Sequence, residues 1–155
     1  MTKECNVRSD CTDLSLGSAS DGRRRIDDDT EQLRAEGTMN RVEAEVKVKG
    51  LTVFARVDHA AGAAEVGLPL RPIELLVFGN AKGGTPLMQS VQTIGIDLPL
   101  KALVWQDGSG ATWLSYNDPR YLAKRHGLGR EVEAAVNAMA AALDALAKVV
   151  ATSPQ

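Results

Sequence analysis

The four residues Asp107-Gly108-Ser109-Gly110 lie between residues 100–105 and 111–116, two stretches rich in apolar and aromatic side chains. Turn-forming residues between two such runs dictate an antiparallel hairpin. The rest of the chain must therefore build onto a sheet. Residues 73–78, Ile-Glu-Leu-Leu-Val-Phe, form a nearly continuous apolar run suited to a central strand buried on both faces, with Pro69 and Pro72 ahead of it. Residues 51–57 read as another strand.

Between these strands the pattern turns helical. Thr38 is placed to cap a helix carrying Met39, Val42 and Val46 on one face, with Gly50 ending it. Asp58 can cap a short alanine-rich helix over residues 60–66, which Gly67 terminates. Residues 79–84 read as a flexible glycine loop, after which Thr85 as N-cap and Pro86 at the first helical position open another helix. Asn117-Asp118-Pro119 stops the hairpin and starts a helix through Arg125. From Arg130 to about Val150, the positions Val132, Val136, Met139, Leu143, Leu146 and Val150 recur every three or four residues. The order of elements predicts an α+β domain, one sheet under a layer of helices, with a long C-terminal helix.

The first 36 residues are poor in large apolar side chains and carry Arg23, Arg24 and Arg25 against Asp27, Asp28 and Asp29. They read as a polar, mostly disordered arm. Residues 37–128 then form the α+β body, and 129–155 the C-terminal helix with a short tail. Cys5 and Cys11, the two cysteines, lie in the arm without a His or Cys at zinc-site spacing, so they read as reduced thiols.

At 155 residues the chain has the size of one domain, and its 44 % apolar and 25 % charged residues are ordinary globular usage. Because 18 basic residues face 20 acidic ones, the net charge of −2 offers no field for nucleic-acid binding. No apolar run approaches a membrane span, and the N-terminus lacks a secretion-signal pattern, so the expectation is a cytoplasmic protein without membrane or nucleic-acid partners.

The run from Gly50 to Leu128 contains FARVDHAAGA, ELLVFGN followed by GGTPLM, DLPLKALVW, and SYNDP followed by RHGL. In these motifs and their order it resembles the bacterial family called domain of unknown function 302. That resemblance implies a fold similar to the TATA-binding-protein-like class, a curved antiparallel sheet with helices on one face, and a homodimer. It implies neither nucleic-acid binding nor any particular activity. Two departures stand out. Ala81 sits where the family usually has proline, and residues 16–33 are too polar for the family's first strand, so either the sheet lacks an edge or a poor strand pairs there.

His59, following a strand and opening a helix, is placed to be a neutral imidazole that accepts a proton or binds a metal, or simply to bond across the turn. His126 sits at a helix end before Gly127 and suits helix capping, with metal binding as the alternative. Asp58, Asn80, Tyr116, Asn117 and Asp118 flank element ends, where functional groups and plain turn formers both collect. Thr85 marks a helix start at which a carboxylate or phosphate could bind, although the spacing of a nucleotide loop is absent. Trp105 and Trp113 are expected to pack against a helix, with a stacking wall for a ligand as the alternative. No Gly-x-Ser-x-Gly elbow or body cysteine supplies a nucleophile.

Three functions fit: a homodimeric module binding a small ligand or metal, an enzyme with His59 as general base, and an interaction protein docking through the apolar stripe of its last helix. No cofactor is named by the residues.

Overall fold

The hairpin is built as its turn residues require. In the computed structural model, which describes residues 2–6 and 28–152, Asp107 Oδ1 accepts from the backbone N–H of Ser109 at 2.8 Å and of Ala111 at 3.0 Å. Gly110 takes φ +81°, a conformation that favours glycine. The flanking strands are β4 (Leu100–Gln106) and β5 (Thr112–Asn117). Around them the chain adds β1 (Thr2–Asn6), α1 (Asp28–Val48), β2 (Thr52–Asp58), α2 (His59–Glu65), β3 (Ile73–Gly79), α3 (Ala81–Ser90), α4 (Pro119–His126) and α5 (Glu133–Thr152). Single 3-10 turns occupy Gln92–Ile96 and Arg130–Val132.

The five strands form one antiparallel sheet in the order β1-β5-β4-β3-β2. Strand alternation puts Leu76 and Phe78 of β3, Ala102 and Val104 of β4, and Leu114 and Tyr116 of β5 on one face. There they are buried with Met39, Val42 and Val46 of α1 and with Leu143 and Leu146 of α5. Full burial of each such aliphatic side chain stabilises the fold by roughly 1.5–3 kcal/mol, so this layer holds the domain together. The other face carries Leu75, Val77, Leu103, Trp105 and Trp113, all half-buried. The α+β class and the long last helix follow the sequence reading.

Several details differ from that reading, each for a tertiary reason. Helix α1 begins at Asp28 rather than near Thr38. Thr38 is no cap: it is fully buried within the helix, and its Oγ1 donates to the carbonyl of Arg34 at 2.9 Å. Within the arm expected over residues 1–36, the described residues form an edge strand and the first turns of α1. The first strand exists, but at Thr2–Asn6, paired with β5 by the register Lys3↔Tyr116. It precedes the 16–33 stretch judged too polar; of that stretch, residues 16–27 lie outside the described residues.

The glycine loop of residues 79–84 is mostly helix. Asn80, not Thr85, caps α3, its Oδ1 accepting from Gly83 N–H at 2.7 Å. Gly83 is there for close packing: a Cβ on it would lie 3.2 Å from Met139 Cε of α5. The stripe of α5 is not free for a partner either. Val136, Leu143 and Leu146 are buried within their own chain, which removes the motivation for docking through that helix. Trp105 and Trp113 pack on each other, ring centroids 6.1 Å apart, on the face away from α1 and α5 rather than against a helix.

Candidate functional site

Antiparallel pairing sorts the candidate residues to two ends of the sheet. Asp58 pairs with Glu74 at the start of β3, whereas Phe78 pairs with Leu100, and Ala102 with Tyr116, toward the other end. Asp58 and His59 therefore stand a strand length, ~20 Å, from the end that holds Asn80, Tyr116, Asn117 and Asp118. His126, bonded to Asp97 just before β4, belongs to that second end, so the two histidines do not share a site. His59 is exposed and makes no side-chain hydrogen bond among the described residues. Among those residues no group of three or more His, Cys, Asp or Glu could hold a metal ion.

Most of the Asp and Asn candidates are occupied as caps. Asp58 Oδ1 accepts from Ala61 N–H at 2.8 Å, Asp118 Oδ1 from Arg120 N–H at 2.9 Å, and Asn80 caps α3. Asn117 Oδ1 accepts from Thr2 Oγ1 at 3.2 Å. Thr85 lies exposed along α3, away from its start.

Tyr116 joins a charged cluster that the sequence did not reveal. Lys3 Nζ lies 3.0 Å from Asp144 Oδ1 and 3.2 Å from Asp118 Oδ2, and Tyr116 Oη donates to Asp144 Oδ1 at 2.9 Å. Burial first, then this bond to a carboxylate, pushes the Tyr116 hydroxyl's pKa far upward. Burial opposes ionisation of Asp144, but hydrogen bonds from Lys3 and Tyr116 prevail and hold its carboxyl below the usual value. Burial likewise opposes the charge on Lys3, but hydrogen bonds to Asp144 and Asp118 raise its pKa.

The signs fix a pH window. A depressed Asp144 contributes stability above the ordinary carboxylate pKa of about 4 and loses it as pH falls. A raised Lys3 contributes below about 10.4 and loses its part as pH rises. The urea midpoint should therefore fall on both sides of neutrality. Asp144→Asn should flatten both flanks, and unchanged flanks in that variant would show that the cluster carries no such coupling.

Across α4 and the 3-10 turn, His126 Nε2 lies 2.6 Å from Asp97 Oδ2, Nδ1 lies 3.3 Å from Thr93 Oγ1, and Arg125 Nη1 is 3.4 Å from the same carboxylate oxygen. His126 thus fastens the end of α4 to the segment entering β4, its ring bonded to Asp97 and Thr93 rather than to a carbonyl of its own helix, whose cap is Gly127.

An apolar opening lies beside that segment. Between α3 and α5, over the start of β4, runs a groove of about 410 Å³, walled by Phe54, Met88, Leu98, Met139, Ala138 and Ala142 among others. Asn80 supplies its one polar side chain, and no charged residue lines it. The groove is open because α5 presents Ala135, Ala138 and Ala142 where larger side chains would close it, while Gly83 and Gly84 bring α3 near. The three- and four-residue spacing of those alanines was the available sequence signal.

Comparisons with known proteins agree with this fold. Two curated relatives, both called fluoride-specific ion channel FluC 1, come from Brucella suis biovar 1 (strain 1330) and Brucella abortus biovar 1 (strain 9-941). Each is 56 % identical over 102 residues, covering 66 % of this chain but only 40 % and 38 % of the relative. A crystal structure of an uncharacterized conserved DUF302 protein from Bacillus stearothermophilus superposes with a TM-score of 0.66 at 21 % identity, over 74 % of this chain and 88 % of that one. No helix of the described residues is long and apolar enough to cross a membrane. With the model for "Domain of unknown function DUF302" matching residues 29–146, the chain belongs to that family.

Proposed function

We propose that this protein is a cytoplasmic, homodimeric module that binds a small, uncharged and mainly apolar molecule in the α3–α5 groove. The observation that carries this reading is the groove itself, about 410 Å³ with a single polar side chain, that of Asn80, whose Oδ1 already accepts the capping bond of α3. Its size falls within the range of small-molecule pockets. A wall without charge gives an ionic ligand nothing to offset its desolvation. The second copy is supported by the half-buried apolar face of Leu75, Val77, Leu103, Trp105 and Trp113, since a sheet covered by helices on one side only leaves its other apolar face unpaired.

The test is native mass spectrometry of gently purified protein beside Ala138→Phe. Ala138 is exposed on α5 and lines the groove, so a phenyl ring there fills the opening without entering the core. The expected result is a dimer carrying one adduct per chain, which the variant loses while remaining a folded dimer. An adduct equally abundant in the variant counts against the groove as its site.

Among the described residues a metal-binding reading has no cluster to rest on, and His59 as general base has no bonded partner of the kind such a role requires. One other reading has an observation behind it. Because the chain matches about two fifths of relatives named as fluoride channels, we infer that this domain serves such a channel as an accessory part, the pore lying in the remainder of those proteins. Host cells lacking this chain should then tolerate less fluoride, and unchanged tolerance would oppose the idea.

A further inference from the structure

We propose that Thr93, His126 and Asp97 form a hydroxyl–imidazole–carboxylate relay that lets Thr93 accept an acyl group from an ester and pass it to water. The case begins with the tautomer. Asp97 Oδ2 stands 2.6 Å from His126 Nε2, and an ionised carboxylate only accepts, so the proton of the neutral ring resides on Nε2. That leaves Nδ1 with its lone pair, and the group facing it at 3.3 Å is the Thr93 hydroxyl, which must donate. A hydroxyl thus points its proton at a base whose far side is held by a carboxylate, the arrangement that activates hydroxyl nucleophiles, and the contact is of the loose kind found without substrate.

Exposure supports the same assignment. The His126 side chain is 9 % exposed and that of Asp97 15 %, so the inner pair is sheltered, while Thr93 itself is exposed on its 3-10 turn. Substrate can reach the hydroxyl without displacing the pair. A purely structural clamp would need only the His126–Asp97 bond. The sequence hid the relay because Thr93 and Asp97 are four positions apart, whereas His126 comes from another element 29 positions beyond Asp97.

The chemistry balances with an ester and water as reactants. As Thr93 Oγ1 bonds to the ester carbonyl carbon, its proton passes to Nδ1, and Asp97 stabilises the imidazolium so formed. Collapse breaks the bond to the alcohol oxygen, and the alcohol departs with the Nδ1 proton. Water then attacks the acyl-threonine through the same base, releasing the acid and restoring the hydroxyl.

The experiment treats the intact protein with p-nitrophenyl acetate near neutral pH and maps acetylation by peptide mass spectrometry, beside Thr93→Val and His126→Gln. Thr93→Val keeps the shape of an exposed side chain and leaves the inner pair intact. The proposal expects acetyl on Thr93 in the wild type, none at that position in Thr93→Val, and a rate at Thr93 lower by about a hundredfold in His126→Gln. Nitrophenol release should fall with it. Absence of acetyl on Thr93, or labelling there at the same rate in His126→Gln, would overturn the relay.

Discussion

Replacing Phe78 with alanine should cost the domain about 3–5 kcal/mol, as for other large side chains removed from a packed core. Phe78 is 1 % exposed and pairs across the sheet with Leu100 and Val53. It belongs to the cluster in which β3 and β4 meet Met39 and Val42 of α1 and Leu143 of α5. The ring is thus enclosed by separate elements that cannot all move inward to fill the void. The urea midpoint should fall with little change in the slope m, since the surface exposed on unfolding stays nearly the same. A loss below about 1 kcal/mol would mean that the layers collapse readily around the gap.

The second large effect concerns charge on the same inner face. Glu74 faces the core side of β3 with its side chain only 10 % exposed, and Arg56 Nε donates to its Oε2 at 2.5 Å. Arg56 Nη1 also reaches Asn40 Oδ1 at 2.6 Å and Glu43 Oε2 at 3.3 Å on α1, so one guanidinium ties β2, β3 and α1 together. Arg56→Met strands the Glu74 carboxylate without a counter-charge. Because the Arg56 side chain is itself 28 % exposed, the expected loss is about 2–3 kcal/mol, below the figure for a fully buried pair. Adding Glu74→Leu should recover most of it, since removing both partners leaves no buried charge. A double-mutant cycle reads the difference, and a double variant no more stable than Arg56→Met would place the loss in the contacts to Asn40 and Glu43 instead.

Much of this architecture was legible because local chemistry and tertiary role coincide. Asp107 with its glycines makes the hairpin turn, Asp58 and Asp118 cap the helices that follow β2 and β5, and the apolar run of β3 is an interior strand between β4 and β2, buried on its inner face and half-buried on the other, while β4 takes the centre. Where the two diverged, local reading failed. Thr2–Asn6 shows no apolar alternation, and it is held at the sheet edge by β5 and by ion pairs from Lys3 to Asp118 and Asp144, more than a hundred positions away. Gly83 looks like a loop residue until Met139 of α5 is placed against it.

The site was legible by residue type and hidden in its grouping. His126 was singled out, but its partners Asp97 and Thr93 were not, because nothing local places them at the ring. His59 was singled out as well and stands alone among the described side chains, a strand length away. For the groove the only sequence signal is the spacing of the α5 alanines, and it shows what they omit rather than what they contact. A cavity left by small side chains can be recognised only after the neighbouring helix is in place.

The most direct test of the groove as a binding site is a fluorescence titration of the purified wild-type protein and Ala138→Phe with an environment-sensitive, uncharged apolar dye. Saturable binding of one dye per chain in the wild type, weakened at least about tenfold, or ~1.4 kcal/mol, in Ala138→Phe, is the predicted result. Binding of equal strength in both proteins, or no saturable binding in either, would contradict it.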